Sequence, residues 1–299
     1  MNLAIWLERT AARHPNRQAI FLGSECLATY KEFWLAVCAL RSHLENEGIK
    51  PGDRVAVYMR NCPEYLIAFY GIWSMGAVIL PINSKLHTKE VGWILENAGC
   101  AYVLCEESSI SEINFPGVTV FNPKWQQFDS NIHIPPVKRS STDLAWLFYT
   151  SGTTGRPKGV MITHGMIKTM ALSYFADVDQ VHPSDTTLYA APMSHGAGLY
   201  SIMHVLAGAR HAIPVSGGFD EEEIFGLAET LQNVHMFAAP TMVKRLTTFS
   251  RKNGYDGDGI RTIVYAGGPM YLSDIIEAVQ QFGSLFIQVY GQGECPMGI

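Results

Sequence analysis

The apolar run Leu144 to Tyr149 reads as a strand, and it opens directly into Thr150-Ser-Gly-Thr-Thr-Gly-Arg-Pro-Lys-Gly-Val160. Few folds can use such a junction. Glycines let main-chain N–H groups approach an anion with no Cβ in the way. The hydroxyls add donors, and Lys158 adds a point charge suited to phosphate. A strand, a glycine-rich loop and then a helix is the usual setting for binding a polyphosphate; here Val160 to Ile162 reads as a returning strand, with a helix from His164 to Tyr174 after it. The spacing is not that of a Walker A loop. Counted from Gly152, that motif needs Gly-Lys at 157 and 158, and the chain has Pro157-Lys158.

The rest of the chain alternates helical and strand-like patterns, which predicts an α/β fold of layered subdomains with largely parallel sheets. Thr29-Tyr-Lys-Glu32 is a capping box, followed by an apolar stripe at Phe33, Val37, Leu40 and Leu44. Pro51-Gly52-Asp53 turns into a strand from Arg54 to Tyr58. Tyr65 to Ser84 carries no charge, which is long enough to nominate a membrane span. Gly71, Gly76 and Pro81 interrupt it, so a buried helix to Met75 and a strand from Ala77 to Leu80 is the favoured reading, with Asn61 as the helix cap. Residues 115–141 are the least organised stretch. We expect a first α/β subdomain over 1–180, ending near the phosphate loop, and a second, incomplete one over 181–299.

Hydrophobic residues make up 47% and charged residues 16%, a composition suited to a packed core rather than disorder. A net charge of −5 argues against a nucleic-acid surface. The six cysteines have no paired spacing and read as free thiols in a reducing compartment, so the cytoplasm is the expected location. The N-terminus lacks the basic flank of a signal peptide, and membrane association is not expected.

Three further loops follow strand-like runs: Pro192-Met-Ser-His195-Gly-Ala-Gly198, Ala266-Gly-Gly-Pro-Met270, and Tyr290-Gly-Gln-Gly-Glu294. In open α/β sheets ligands bind beyond the carboxyl ends of strands, so four unusual loops at such ends predict one site.

Residues 149–160 resemble, nearly residue for residue, the signature loop of the adenylate-forming superfamily, which holds acyl-CoA synthetases, peptide-synthetase adenylation domains and luciferases. Ile287-Gln-Val-Tyr-Gly-Gln-Gly-Glu294 is similar to that superfamily's Gln-x-Tyr-Gly-x-Thr-Glu motif, with Gly293 where threonine is usual. The resemblance implies ATP-dependent activation of a carboxylic acid to an acyl-adenylate, with ATP and Mg²⁺, followed by transfer to CoA or to a carrier protein. It implies a nucleotide pocket of Thr150, Ser151, Gly152, Thr153, Thr154, Gly155 and Lys158, of Gly267, Gly268 and Pro269, and of Gln288, Tyr290, Gly291 and Gln292. Glu294 would bind Mg²⁺. His195 would border the acid and move between half-reactions, so Glu294 and His195 are the expected catalytic residues. Ala197 and Ser201, with small side chains, would leave room for a fatty or other hydrophobic acid beside His195.

The resemblance covers the whole chain but only the first part of the family pattern. The downstream Tyr-x-Thr-Gly-Asp segment, the hinge and the C-terminal lid domain with its lysine have no counterpart in these 299 residues. We therefore expect weak nucleotide binding without complete turnover from this chain alone. An uncovered sheet edge would favour a homo-oligomer. A non-catalytic nucleotide-binding role is the alternative outside the enzyme class.

Overall fold

The computed structural model describes residues 1–124, 132–150 and 157–295. The first strands in chain order are β1 (Gln18–Leu22), β2 (Glu25–Thr29), β3 (Arg54–Tyr58), β4 (Val78–Pro81), β5 (Tyr102–Cys105), β6 (Thr119–Phe121) and β7 (Leu144–Thr150). They are followed by β8 (Lys158–Thr163), β9 (Thr186–Leu188), β10 (Arg210–Ile213), β11 (Val234–Ala238), β12 (Ile260–Tyr265) and β13 (Phe286–Gln288). The helices of the N-terminal part are α1 (Ala4–Arg13), α2 (Tyr30–Asn46), α3 (Pro63–Ser74), α4 (Thr88–Ala98) and α5 (His164–Ser173). Those beyond are α6 (Gly196–Leu199), α7 (Ser201–Ala207), α8 (Glu221–Leu231), α9 (Pro240–Asn253) and α10 (Leu272–Phe282).

Strands β4 and β5 are buried at every position and β3 at every position but the first. Continuous apolar strands of this kind belong in parallel sheets covered on both faces. A six-stranded sheet runs β6-β5-β3-β4-β7-β8 and a seven-stranded sheet β13-β12-β11-β9-β10-β1-β2. Every pairing is parallel except β7 with β8 and β1 with β2. The expected pair of largely parallel layers is therefore present.

The strands do not divide along the chain at residue 180. β1 and β2 belong to the seven-stranded sheet, where Ile20, Phe21 and Leu22 pair with His211, Ala212 and Ile213 of β10. A short hairpin has no sequence signal naming its sheet, because register is set by a strand almost two hundred residues away.

The charge-free run is a helix and a strand, as its glycines and proline suggest. Every α3 residue except Glu64 is buried, and Gly76 turns the chain at φ +81° before β4. Gly71 is where α2 rests on α3. A Cβ there would lie 2.8 Å from Leu40 Cδ2, so a larger residue would have to push the Leu40 side chain aside. Phe69, Trp73 and Trp146 fill the space behind, with Phe69 and Trp146 ring centroids 5.0 Å apart. No helix among the described residues is long and apolar enough to cross a membrane.

The local start and stop signals hold. Thr29 and Glu32 form the capping box of α2, Asp220 accepts from the Glu223 N–H at the start of α8, and Gly208 ends α7 at φ +70°. Asn61 is the exception. Cys62 takes the cap position of α3 with no side-chain bond, and the Asn61 amide reaches across to the other sheet.

Candidate active site

β7, β9, β12 and β13 each deliver a candidate loop from the carboxyl end. After β7 the chain turns back as β8, antiparallel, with Thr150 opposite Lys158. The returning strand expected at Val160 to Ile162 is therefore present as β8, and α5 follows it from His164. The glycines and hydroxyls of the glycine-rich segment, with the Lys158 ammonium, are groups that could hold an anion. Ser151, Gly152, Thr153, Thr154 and Gly155 lie outside the described residues. Thr150 is half-buried and Lys158 exposed. Tyr149 anchors the base of the hairpin by donating to Asn97 Oδ1 at 2.6 Å.

The loop after β13 is a tight turn. Gln292 N–H donates to Cys295 O at 3.2 Å and Cys295 N–H to Gln292 O at 2.9 Å, which leaves Gly293 and Glu294 at the tip with the Glu294 carboxylate exposed. This turn packs on the hairpin. A Cβ at Gly293 would lie 2.8 Å from Val160 Cγ2 and 3.4 Å from Thr150 Cγ2. A side chain at this position would press on the Val160 methyl group. Replacing Gly293 with Thr should overpack this contact and cost about 1–3 kcal/mol in a thermal melt. Adding Val160→Ala should recover part of that loss, and no recovery would show that the contact is not the cause.

Beneath the turn, Tyr265 at the end of β12 donates its hydroxyl to Gln288 Oε1 at 3.1 Å. Tyr290 is 66% exposed, and Gln288 and Gln292 are exposed while Gly291 is half-buried. Gly267, Gly268 and Pro269 form an exposed turn in which Gly267 has φ +85°, a conformation that favours glycine. Nothing lies within 4 Å of a Cβ built at Gly267, so the main chain there presents an open face to a planar group.

His195 stands at the start of α6. Its Nδ1 is 3.0 Å from Ser194 Oγ, and the Phe148 ring meets it edge-on at 5.7 Å. Phe148 belongs to β7, so this contact joins the His195 loop to the hairpin. The ring keeps an edge to solvent while the surrounding protein partly desolvates it, which holds its pKa below the ordinary imidazole value. A neutral imidazole near neutral pH can accept or donate a hydrogen bond without adding charge beside a carboxylate. Gly198 follows from packing, because a Cβ there would overlap the Met193 carbonyl and press on Phe69.

Ala197 and Ser201 are both buried. Ser201 lies one turn before His204, in a polar region of the core that the sequence does not announce. His204, His211 and His235 are all fully buried. Tyr30 and Tyr189 hydroxyls sit 3.2 and 2.9 Å from the two ring nitrogens of His211. The Tyr174 hydroxyl is 2.8 Å from His235 Nε2, and His204 Nδ1 is 2.8 Å from the Tyr200 carbonyl. Burial holds all three imidazoles neutral, His204 being pushed down to about 4. They come from α7, β10 and β11, and no single-chain periodicity brings such residues together.

Among the described residues no group of three or more His, Cys, Asp or Glu is placed to bind an ion. One exposed carboxylate, Glu294, suits Mg²⁺, which keeps most of its waters and is held by one or two carboxylates together with substrate phosphates.

A family model described as AMP-binding enzyme matches residues 7–299. A feruloyl-CoA synthase from Amycolatopsis sp is 28% identical over 301 residues, covering 99% of this chain and 60% of that protein. Surfactin synthase subunit 2 of Bacillus subtilis is 26% identical over 302 residues, covering 99% of this chain and 8% of that protein. The crystal structure of the N-terminal domain of FACL13 from Mycobacterium tuberculosis superposes with a TM-score of 0.87 at 26% identity, covering 99% of this chain and 77% of that one. The chain thus spans about 60% of the feruloyl-CoA synthase. Sequence pattern, paired sheets and loop placement converge, and the chain belongs to the AMP-binding enzyme family.

Proposed function

We propose that this chain carries the nucleotide- and acid-binding part of an acyl-CoA synthetase. A carboxylate attacks the α-phosphorus of ATP and pyrophosphate leaves; the thiol of CoA then takes the acyl group and AMP leaves. Reactions of this kind are accelerated mainly by positioning and by charge neutralisation. Thr150, Lys158 and the glycine-rich segment would cradle phosphate, and the 267–269 turn with Tyr290 and Gly291 would border adenine. Glu294 would hold Mg²⁺, whose role is to neutralise phosphate charge. His195 would border the acid. Ala197 and Ser201 would shape its pocket for a fatty or other hydrophobic acid.

The observation that supports this reading is that two loops meet the same pair of strands. Gly293 lies against Thr150 and Val160, and His195 against Phe148. The turn that carries Glu294 and the loop that carries His195 thus both border β7 and β8, the strands on either side of the glycine-rich segment.

A second reading, delivery of the acyl group to a carrier protein, draws support from the match to a surfactin synthase subunit. The natural gene product, given Mg-ATP and an accepted acid, should form a thioester on free CoA detectable by mass spectrometry. Acylation of a holo-carrier with none of CoA would favour the second reading.

A further inference from the structure

We infer that Asn61 is a positioning residue for the His195 loop, a clamp thrown across from the six-stranded sheet; this rests on the adenylating role proposed above. The ladder between β9 and β10 ends at Leu188 and Ala212. Beyond it the chain still has to run from Tyr189 to Met193 through buried surroundings before reaching His195. Asn61, in the turn between β3 and α3, takes over where the ladder stops. Its Nδ2 donates to Tyr189 O at 2.7 Å and to Ala191 O at 2.8 Å, and its Oδ1 accepts from Met193 N–H at 2.8 Å. All three bonds are buried.

A primary amide is the side-chain group that supplies two donors and one acceptor on adjacent atoms. Aspartate would keep the acceptor and lose both donors, and alanine would leave two carbonyls and one N–H buried without partners. The far side of the same loop is fixed by Gly198 against Met193 and Phe69. The segment ahead of His195 is thus gripped from both sides by elements around α3, and Asn61 provides the polar half of that grip. Displacing a substrate-bordering group by about 1 Å can cost on the order of a hundredfold in rate, so a clamp whose last bond is to Met193, immediately ahead of the Ser194-His195 pair, has leverage on the site without touching substrate.

The test uses Asn61→Ala and Asn61→Asp, with Ser250→Ala as a destabilised control whose lost bond, to Tyr255 O, lies in a different helix. Histidine-selective NMR on the 299-residue chain should show the His195 resonances displaced in Asn61→Ala. Their titration midpoint should move up toward that of a free imidazole, with Asn61→Asp intermediate and Ser250→Ala unchanged. In pyrophosphate exchange by the natural gene product, KM for the acid should rise about tenfold, with KM for ATP held within about twofold. If the Asn61 variants lose melting temperature as Ser250→Ala does, yet leave the His195 resonances and the acid KM where they were, Asn61 is structural only and the inference is overturned. Should Asn61→Ala fail to fold, Asn61→Asp is read by the same two measures. Should the wild type exchange with no acid, the adenylating role fails, and the His195 resonances alone decide the role of Asn61.

Discussion

Lowering the pH from about 6.5 toward 4 should remove about 3 kcal/mol of folding stability for each of His164 and His204. Both imidazoles are buried and neutral, and both are pushed down to about 4 by desolvation. At His164 the nearby Arg139 and the N-terminus oppose protonation further, while Asp143 favours it. An unfolded chain protonates the same rings at about 6.5. Between those values the unfolded state binds more protons, so stability is complete above the unfolded pKa and falls as the pH drops through the window. His211 and His235 add to the effect, since burial lowers both well below the ordinary value. Urea unfolding followed across pH 4 to 8 should show this slope. The two sites should also differ. Neither nitrogen of His164 has a hydrogen-bond partner, so His164→Leu should be close to neutral at pH 7.5 while flattening the acid limb. His204→Leu should cost stability at every pH, because it removes the buried 2.8 Å ring bond to the Tyr200 carbonyl and leaves that carbonyl only the long 3.5 Å bond from the His204 N–H. A stability that is flat from pH 7 to 4.5 would show that these histidines do not stay neutral in the fold.

The second large effect belongs to Glu294. Glu294→Gln keeps size and shape and removes one negative charge at an exposed turn tip. A surface change of this kind should leave the melting temperature within about 0.5 kcal/mol of equivalent stability. If the carboxylate holds Mg²⁺ against the phosphates, adenylation should fall by on the order of a hundredfold or more, since a misplaced counter-charge at a phosphoryl centre is worth several kcal/mol. Part of the loss should be recovered at raised Mg²⁺ concentration. A Glu294→Gln variant with normal exchange would remove Glu294 from the site.

Much of this fold was legible one segment at a time. Caps at Thr29 and Asp220, the stop at Gly208 and the breaks within the charge-free run are local signals, and local signals survive folding. The four loops were legible as well, since each follows a short apolar strand and carries residues that packing alone does not call for. Long-range partners were not legible. The hairpin β1–β2 joins a sheet whose other strands begin at Thr186, and a buried tyrosine–histidine network draws on α2, α7, β10 and β11. Asn61 shows the limit most clearly. Its neighbours in sequence nominate a helix cap, and only the meeting of the two sheets reveals the carbonyls it serves. The strand after the glycine-rich segment was legible at Val160 to Ile162, while its antiparallel pairing with β7 was not.

The measurement closest to the central claim is ATP–pyrophosphate exchange by the natural gene product against a panel of carboxylic acids, from short aliphatic to long-chain and aromatic. The account predicts acid-dependent exchange that requires Mg²⁺ and is strongest with a hydrophobic acid. Absence of exchange with every acid, from a folded protein that still binds Mg-ATP, would contradict it.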